Sequence, residues 1–366
     1  MNYTPLHYQI ALTLLSGIGP IRAKELLLSV DNVSLLFHDS PKELEHSARY
    51  NAAFFRKLNR EEAISKADDI INYNKRNNIN AIFYADPEYP YRLKNCVDSP
   101  IILYTKGAMD LNQSKMVAIV GTRNATSYGK NLCAELISSL KDINVSVVSG
   151  LAVGIDACAH RNCIENNLVT YGVLGNGIDR IYPAAHSALS EKIIKSGGLI
   201  SEFTPGTPPN RENFPKRNRI VAGLCDATIV IESRTRGGSL ITARLANDYN
   251  RDVFAYPGSV HCETSQGCNA LIANQSAHLM QSPEDFLTLM NWENKTPKAS
   301  TQQKLFPDLS QKQKEIVSCI SKEQQIQLDV LSVKTNLPVS KLNVELFTLE
   351  MEGVIVSLPG KKYSLA

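Results

Sequence analysis

Val117-Ala-Ile-Val-Gly121-Thr-Arg123 joins a short run of apolar, mostly β-branched residues to a glycine turn that carries one arginine. Such a run is typical of a strand buried on both faces of a sheet. From about residue 76 to 290, similar runs alternate with stretches of helical periodicity, which favours a parallel sheet with helices on both faces. We therefore predict a Rossmann-like α/β core. Its clearest strands are expected at residues 117–120, 145–148, 169–173, 227–231 and 252–255.

Three of the predicted strands end in glycine-rich turns. The turns read Gly121-Thr-Arg123, Ser149-Gly150-Leu-Ala-Val-Gly154-Ile-Asp156 and Leu174-Gly175-Asn-Gly177-Ile-Asp179. Because ligands of such sheets bind beyond the carboxyl ends of the strands, the turns are expected to line one shared crevice. None of them matches GxGxxG, so a dinucleotide site has little support. Backbone amides beside glycines can approach an anion closely, and the pattern favours phosphate oxygens as the guest.

A basic segment, Arg211-Glu-Asn-Phe214-Pro-Lys-Arg217-Asn-Arg219, carries four cations and one carboxylate, and four minus one gives a local net charge of +3, equal to that of the whole chain. This concentration indicates a polyanionic ligand. Phe214 lies among the charges, and stacking on such an aromatic is worth about 1–3 kcal/mol per base in single-strand binding. The same residues allow another interpretation, in which Phe214 packs inward and the arginines pair with carboxylates across the crevice.

Length and composition bound the class of protein. The 366 residues are enough for two or three domains with ample core, and 43% apolar with 20% charged residues is typical of a soluble globular chain. No run of about 18 apolar residues predicts a membrane span. Residues 1–10 show no secretory signal, so we expect a cytosolic protein without a membrane partner.

The cysteines give no indication of a metal site. Eight of them are scattered along the chain without a CxxC pair, which favours reduced thiols in the core. His261, Cys262 and Cys268 lie close in sequence, but no second spaced pair completes a tetrahedral set. We predict no metal and no cofactor.

The segment before the predicted sheet, residues 1–75, is expected to be helical, because apolar residues recur at helical spacing through 8–15, 21–28 and 63–71. Between the first two helices, Gly17-Ile-Gly19-Pro20 permits a sharp turn into a new helix. This is the pattern of a SAM-like or helix-hairpin-helix domain, whose free amides can hold a phosphate. A plain corner between two helices is equally compatible, since only Arg22 and Lys24 add positive charge nearby.

The segment after the predicted sheet begins with a polar stretch that contains Trp292 and reads as a linker. Three helices, at 311–321, 328–335 and 340–352, are then followed by a short hairpin, which is the order of a winged helix. The predicted domains are therefore a helical domain at 1–75, a Rossmann-like domain at 76–290, a linker at 291–310 and a winged helix at 311–366.

The third helix of a winged helix commonly reads DNA. Here that helix carries Lys341 together with three glutamates. An acidic helix repels phosphates, so a protein-binding or structural role is at least as compatible with the sequence. We assign this module no DNA contacts beyond Lys361 and Lys362.

Six motifs in order resemble the DNA-processing protein A family, also called DprA or Smf. They are the three glycine turns, the basic segment, Gly237-Gly-Ser239-Leu-Ile-Thr-Ala243 and Tyr256-Pro-Gly258. The resemblance is dense over about 80–290 and more diffuse at both ends. It implies a Rossmann-like core that binds single-stranded DNA as a homodimer and loads the RecA recombinase during natural transformation. One departure, Arg234-Thr-Arg236 before the glycine pair, would add positive charge at the rim of the crevice.

The resemblance also implies roles for individual residues. Arg123 would hold a backbone phosphate, and Phe214 would stack on a base. Of Arg217 and Arg219, one would face DNA and the other would brace the crevice. The implied DNA-binding set is Gly121, Thr122, Arg123, Ser149, Gly150, Gly154, Arg211, Phe214, Lys216, Arg217, Arg219, Gly238 and Ser239. Four further polar residues would orient arginines rather than catalyse: Asp156, His160, Asp179 and Glu232.

The main alternative is an enzyme of the same Rossmann-like clan, a nucleoside-monophosphate phosphoribohydrolase. That class has a glutamate near the sugar, at a position where Thr242 and Ala243 stand here. Without the carboxylate, no group is evident that would stabilise an oxocarbenium-like centre. A nucleophile elbow with Ser, His and Asp in a suitable order is also lacking in the sequence. We therefore predict a binding protein with no catalytic residues.

Overall fold

The computed structural model describes residues 3–47, 50–292, 309–323 and 325–365. Among these residues, no helix combines the length and the apolar character needed to cross a bilayer. Most of the predicted linker at 291–310 lies outside the described residues.

The described residues form twelve strands in two sheets. The larger sheet contains β1 (Asn80–Phe83), β2 (Ile102–Lys106), β3 (Met116–Val120), β4 (Ser146–Gly150), β5 (Thr170–Val173), β6 (Gly198–Ser201), β7 (Ala227–Val230), β8 (Asp252–Ala255) and β9 (His278–Leu279). The smaller sheet contains β10 (Ile326–Gln327), β11 (Ile355–Leu358) and β12 (Lys362–Leu365).

Helices precede, surround and follow the larger sheet. The first group is α1 (Pro5–Leu14), α2 (Pro20–Ser29), α3 (Leu35–His38), α4 (Pro41–Ser47), α5 (Ala52–Arg56) and α6 (Arg60–Arg76). The second is α7 (Tyr91–Lys94), α8 (Ser127–Leu140), α9 (Ile155–Glu165), α10 (Ser187–Ser196), α11 (Asn213–Leu224), α12 (Gly238–Asp248), α13 (Glu263–Ala273) and α14 (Pro283–Leu289). The third is α15 (Gln311–Glu323), α16 (Leu328–Thr335) and α17 (Val339–Met351).

The larger sheet has the strand order β1-β2-β6-β5-β4-β3-β7-β8-β9. Neighbours from β6 to β9 are parallel, whereas β2 runs antiparallel to both β6 and β1. The Rossmann-like α/β prediction is confirmed, with the correction that the sheet is mixed. β1, β2, β6 and β9 are not among the clearest strands named from the sequence, and β1 is a short edge strand whose residues range from exposed to buried.

The centre of the larger sheet is buried on both faces. Val117 and Ile119 of β3 belong to one apolar cluster, whereas Met116 and Ala118 of the same strand belong to another on the opposite face. This explains why the strand reads as an unbroken apolar run rather than as an alternating one. All four side chains are fully buried, so β3 provides a rigid base for the turn that follows it.

The helices before the sheet are attached to it through Lys24 on α2. Its ammonium group donates hydrogen bonds to the carbonyl oxygens of Cys96 and Val97 and to the Ser99 hydroxyl, at 3.1, 2.9 and 2.6 Å. Burial lowers the pKa of Lys24 to about 8. One of the two cations near the predicted hairpin therefore joins two parts of the protein, which favours the structural interpretation of this turn over phosphate binding.

The smaller sheet and its three helices form the winged helix, which packs against the amino edge of the larger sheet. Asp226 lies just before β7 and forms a buried ion pair with Arg92 at 2.8 Å. Gln327 of β10 donates to this carboxylate and accepts a hydrogen bond from Arg92 at 2.9 Å. A second buried pair joins Arg251, before β8, to Asp329 of α16.

Trp292 and Lys362 complete this contact. Trp292, which the sequence placed in the linker, is fully buried against Phe286. The Lys362 ammonium lies 5.6 Å from the centroid of the indole ring and is buried as well. Lys362 is therefore not placed to contact DNA, which corrects that part of the sequence-based expectation.

Candidate functional site

A cavity of about 740 Å³ opens at the carboxyl edge of the larger sheet. It lies where β3 has β4 on one side and β7 on the other. This is a topological switch point, where the chain connections from neighbouring strands run in opposite directions. Open α/β sheets bind ligands at such points, because the loops that follow the strands diverge there and leave a space between them. Residues after all three strands line the cavity, together with the first turns of α11 and α12. Two of the three predicted glycine turns, those after β3 and β4, line this crevice, whereas Leu174 and Gly175 of the third turn line a smaller neighbouring cavity.

The turn after β3 is held by its backbone. The Thr122 amide donates to the Glu232 carbonyl oxygen at 2.8 Å, and the Ile155 amide donates to the Thr122 carbonyl oxygen at 3.2 Å. Gly154 has a φ of +89°, and a Cβ there would collide with the backbone of Thr122 and Arg123. Because the turn is fixed in this way, the Arg123 side chain is exposed at the crevice.

One face of α11 lines the crevice. Residues 214, 217, 218 and 221 recur at the spacing of three and four that places side chains on one side of a helix. Arg211, just before the helix, is exposed beside them. The basic segment thus brings one aromatic ring and two of its cations, Arg211 and Arg217, to the crevice.

Arg217 is buried in the crevice floor, where its guanidinium donates to the Val173 carbonyl oxygen. A Cβ on Gly150 would strike both Arg217 and Asp156, so the glycine at the end of β4 leaves room for the two side chains. Burial raises the pKa of Asp156, and the positive charge of Arg217 opposes that shift. The negative charge of Asp156 offsets part of the cost of burying the Arg217 cation.

A smaller cavity of about 180 Å³, here called the side cavity, shares lining residues with the crevice. Tyr182 and Phe214 both line it, with ring centroids 5.7 Å apart and ring planes inclined by 40°. The Arg123 guanidinium lies 5.8 Å from the centroid of Phe214. Phe214 is half-buried between the two cavities and does not pack into the core.

Positive charge dominates the crevice. Of the described residues that line it, five are arginines and one is a carboxylate, Asp156. The arginines are Arg123, Arg211, Arg217, Arg234 and Arg236. Arg234 also lies 3.5 Å from Glu263, but exposed ion pairs are worth only about 0–1 kcal/mol. The excess of cations makes the crevice suited to a ligand with several negative charges.

Four residues of the implied DNA-binding set do not line the crevice, and one of them, Gly154, lies against the backbone of Thr122 and Arg123 instead. Arg219 pairs with Glu202 on the opposite side of α11, since positions two apart on a helix differ by about 200°. Lys216 is exposed outside the cavity. Ser149 is fully buried and donates to the Ile119 carbonyl oxygen at 2.6 Å. Of the two arginines that were expected to divide their roles, Arg217 therefore faces the crevice and Arg219 braces the fold.

His160 braces strands rather than an arginine. Its Nε2 donates to the Gly150 carbonyl oxygen at 2.6 Å, and its Nδ1 lies 2.7 Å from the Thr170 hydroxyl. Burial lowers the pKa of His160 to about 4, so the ring is neutral at pH 7. A neutral imidazole with both nitrogens occupied fixes the ends of β4 and β5 relative to each other.

Glu232 and Asp179 likewise hold backbone. The Glu232 carboxylate accepts a hydrogen bond from the Thr126 amide at 3.0 Å, which anchors the start of α8. The Asp179 carboxylate accepts one from the Gly206 amide at 2.8 Å. Among the four residues expected to orient arginines, Asp156 is the one that lies beside an arginine of the crevice.

Tyr182 lines the crevice, although in the sequence it stood only at the end of the third family motif and was given no role there. It is 48% exposed and stands between the two cavities, opposite Phe214. An exposed aromatic before a proline, next to a glycine turn, was the available signal. Its contact with the Phe214 ring depends on how closely the loop after β5 approaches α11, which the sequence does not reveal.

Within the part of the chain that the structure describes, no group of three or more His, Cys, Asp or Glu side chains is placed to hold a metal ion. Of the residues considered from the sequence, Cys262 is half-exposed and Cys268 lies in the core.

Comparison with protein families gives two matches. Residues 80–291 match the sequence model of the family described as DNA recombination-mediator protein A. Residues 298–361 match that of the DprA winged helix domain. The crevice lies within the first match, and the module at the amino edge lies within the second.

Individual relatives agree with these matches. Protein Smf of Synechocystis sp. is 30% identical over 389 residues, which cover 97% of this chain and 98% of the relative. The solved structure of DNA processing protein A from Streptococcus pneumoniae is similar with a TM-score of 0.67 and 34% identity, covering 78% of this chain and 98% of that one. The structure from Helicobacter pylori, described for its single-stranded DNA binding mode, has a TM-score of 0.53 and 28% identity, covering 57% and 94%.

Proposed function

The chain belongs to the DNA recombination-mediator protein A family, also called DprA or Smf, and from that premise we propose that its crevice binds single-stranded DNA. The observation that carries the proposal is the set of five arginines against one carboxylate at the switch point of the sheet. A nucleic acid strand places one negative charge on every nucleotide. Its backbone can therefore neutralise several of these cations together, with release of counterions.

Exposed and buried arginines of the crevice would have different roles in binding. Arg123 and Arg211 are exposed and able to reach phosphate oxygens at the mouth of the crevice. Arg217 is buried and already donates to a carbonyl oxygen, so it gives positive potential to the floor rather than a mobile contact. In this proposal the GTR turn presents the exposed Arg123 side chain to one phosphate group.

The side cavity supports a preference for unpaired strands. Its walls carry the rings of Tyr182 and Phe214 and the apolar side chains of Leu151, Val153 and Leu174. A base can stack on an aromatic ring in such a site only when it has left its partner, because a paired base presents no free face. Single strands meet this condition without the free energy of unpairing.

Other functions of the family come to this chain as proposals. Membership of the family, rather than any particular contact, supports four further proposals. They are that the protein loads RecA, forms a homodimer, acts in natural transformation and is cytoplasmic. For the winged helix we propose a role other than DNA reading, since its third helix, α17, exposes three apolar side chains, Val344, Phe347 and Met351, beside a single lysine, Lys341.

We propose no catalysis at the crevice. Asp156 is the one carboxylate among the described lining residues, and it is buried beside Arg217 rather than free at the surface of the crevice. The phosphoribohydrolase alternative requires a free carboxylate near the sugar. Incubation with nucleoside monophosphates should therefore release no free base, and release at catalytic rates would establish the hydrolase instead.

Binding is tested by fluorescence anisotropy with a labelled oligo-dT and with the same oligonucleotide annealed to oligo-dA. The single strand should bind at least about tenfold more tightly at moderate salt, because the side cavity accepts an unpaired base. Equal or tighter binding of the duplex would overturn the proposal.

A further inference from the structure

A second basic cavity lies beside the crevice, on the far side of the turn after β3. It has a volume of about 470 Å³, and Arg123, Lys130, Gly154, Cys158, Arg161 and Glu165 are among its lining residues. Three of these are cations and one is a carboxylate. We call it the exit cavity, and none of the implied DNA contacts except Arg123 and Gly154 belongs to it.

The exit cavity adjoins the crevice at Arg123. Arg123 lines both, and the backbone of Thr122 and Arg123 forms the ridge between them. Gly154 lies directly under this ridge, and a Cβ there would push against it. A chain leaving the crevice at Arg123 therefore meets the exit cavity next.

The cations of the exit cavity have no partner that would occupy them. Lys130 and Arg161 are exposed, and among the ion pairs of the described residues neither takes part in one. Glu165 supplies one opposing charge at the rim. Two exposed, unpaired cations at the end of a basic crevice resemble the electrostatic track by which proteins follow a strand.

We propose that a single strand held in the crevice crosses the ridge at Arg123 and continues into the exit cavity, where Lys130 and Arg161 contact its phosphates. This inference rests on the proposed function and extends it by assigning a path and a direction to the strand. Short oligonucleotides fill the crevice alone, whereas longer ones engage both cavities.

Cys158 provides a reporter inside the exit cavity. Its thiol is half-exposed, and a hydrogen bond from the Cys133 thiol, aided by the charges of Arg161 and Lys130, lowers its pKa to about 7. A thiol with this pKa is partly ionised at neutral pH and reacts readily with alkylating agents. Phosphates in the cavity would exclude the reagent and also raise the pKa of the thiol.

The first test is pulse alkylation of the full chain with iodoacetamide, with and without saturating oligo-dT, followed by peptide mass spectrometry. An oligonucleotide of about 16 nucleotides should slow the modification of Cys158 several-fold, whereas one of about 4 nucleotides should not. Cys319 of the winged helix, also half-exposed, is the internal control and should react equally in all samples. Unchanged reactivity of Cys158 under saturating long oligonucleotide would overturn the path.

The second test is the double variant Lys130→Ala/Arg161→Ala, with Lys75→Ala/Arg76→Ala as control because those exposed residues also pair a lysine with an arginine. The first variant should bind the long oligonucleotide about tenfold less tightly, and the slope of log K against log salt should fall by about 1.4 for two lost phosphate contacts. Equal effects on both lengths, or none, would overturn the path. Failure of the wild type to bind any oligonucleotide would instead overturn the proposed function itself.

Discussion

The two edges of the larger sheet use the same residue types for different purposes. At the amino edge, buried Arg92 and Arg251 each face a buried carboxylate, Asp226 and Asp329. At the carboxyl edge, five arginines share one carboxylate. The amino edge is closed by the winged helix, and the carboxyl edge opens into a cavity.

The difference teaches how to separate structural from functional arginines. A buried cation with a matching carboxylate is satisfied within the fold, so it stabilises a contact and leaves no field for a ligand. Arginines in excess of carboxylates keep a positive potential that an external polyanion can neutralise. Composition gave no hint of this, because the net charge of the whole chain is only +3.

The largest expected effect is at the amino edge. Asp226→Ala removes the partner of Arg92, whose side chain is 1% exposed, and leaves a buried charge uncompensated. We expect the free energy of unfolding to fall by about 3–5 kcal/mol. Urea unfolding followed by the fluorescence of Trp292, the one tryptophan of the chain, would report on this edge directly.

The control for this variant is Asp248→Ala, which changes an exposed carboxylate on α12. It should alter the free energy of unfolding by less than about 0.5 kcal/mol. If the two variants lose equal stability, the amino edge is not held together by its matched pairs.

The next effect concerns a brace at the carboxyl edge. The pKa of His160 is about 4 in the folded protein, against 6.5 for the free side chain. Between pH 6.5 and 4, His160 takes up a proton in the unfolded chain but not in the native state. The free energy of unfolding therefore falls as the pH decreases through this range. Over the whole range, the free energy of unfolding should fall by about 3 kcal/mol.

Urea unfolding of the wild type and of His160→Gln at several pH values between 7 and 4 isolates this residue. The stability advantage of the wild type should shrink as the pH falls. A difference that stays constant with pH would show that His160 is not a neutral, buried brace.

A smaller effect is expected for the aromatic pair at the crevice. Phe214→Ala should weaken single-strand binding by about 1–3 kcal/mol, because one stacking surface is lost while the arginines remain. Anisotropy titration measures the change, with Phe54→Ala in the helical region as the control. Unaltered affinity would mean that the crevice binds the backbone alone.

The sequence predicted the central part of the sheet well. β8 lies at the residues expected, and β3 and β7 differ from their predicted bounds by one residue. These strands lie in the buried centre of the sheet, so their residues are largely apolar, and Gly121 directly follows β3. The edge strand β1 was missed, because four residues with mixed exposure carry no such pattern.

Individual residues of the candidate site could be predicted only where they belong to one of the family motifs. Gly121, Arg123 and Phe214 meet at the crevice as expected, whereas Arg219 turns away because helical geometry separates it from Arg217. The amino edge could not be predicted at all. Arg92 and Asp226 are 134 residues apart in sequence, and no local pattern indicates their pairing.

The unmatched cations at the carboxyl edge are proposed to bind single-stranded DNA. Arg123 tests this proposal most directly, since this arginine is exposed and its removal leaves no buried charge behind. The control is Arg56→Ala, an exposed arginine on α5.

The measurement is anisotropy with labelled oligo-dT over a salt series for the wild type, Arg123→Ala and Arg56→Ala. We expect Arg123→Ala to bind about tenfold less tightly, with the slope of log K against log salt reduced by about 0.7, while the control binds like the wild type. If Arg123→Ala matches the wild type in both affinity and slope, the crevice is not the DNA site and the central claim is wrong.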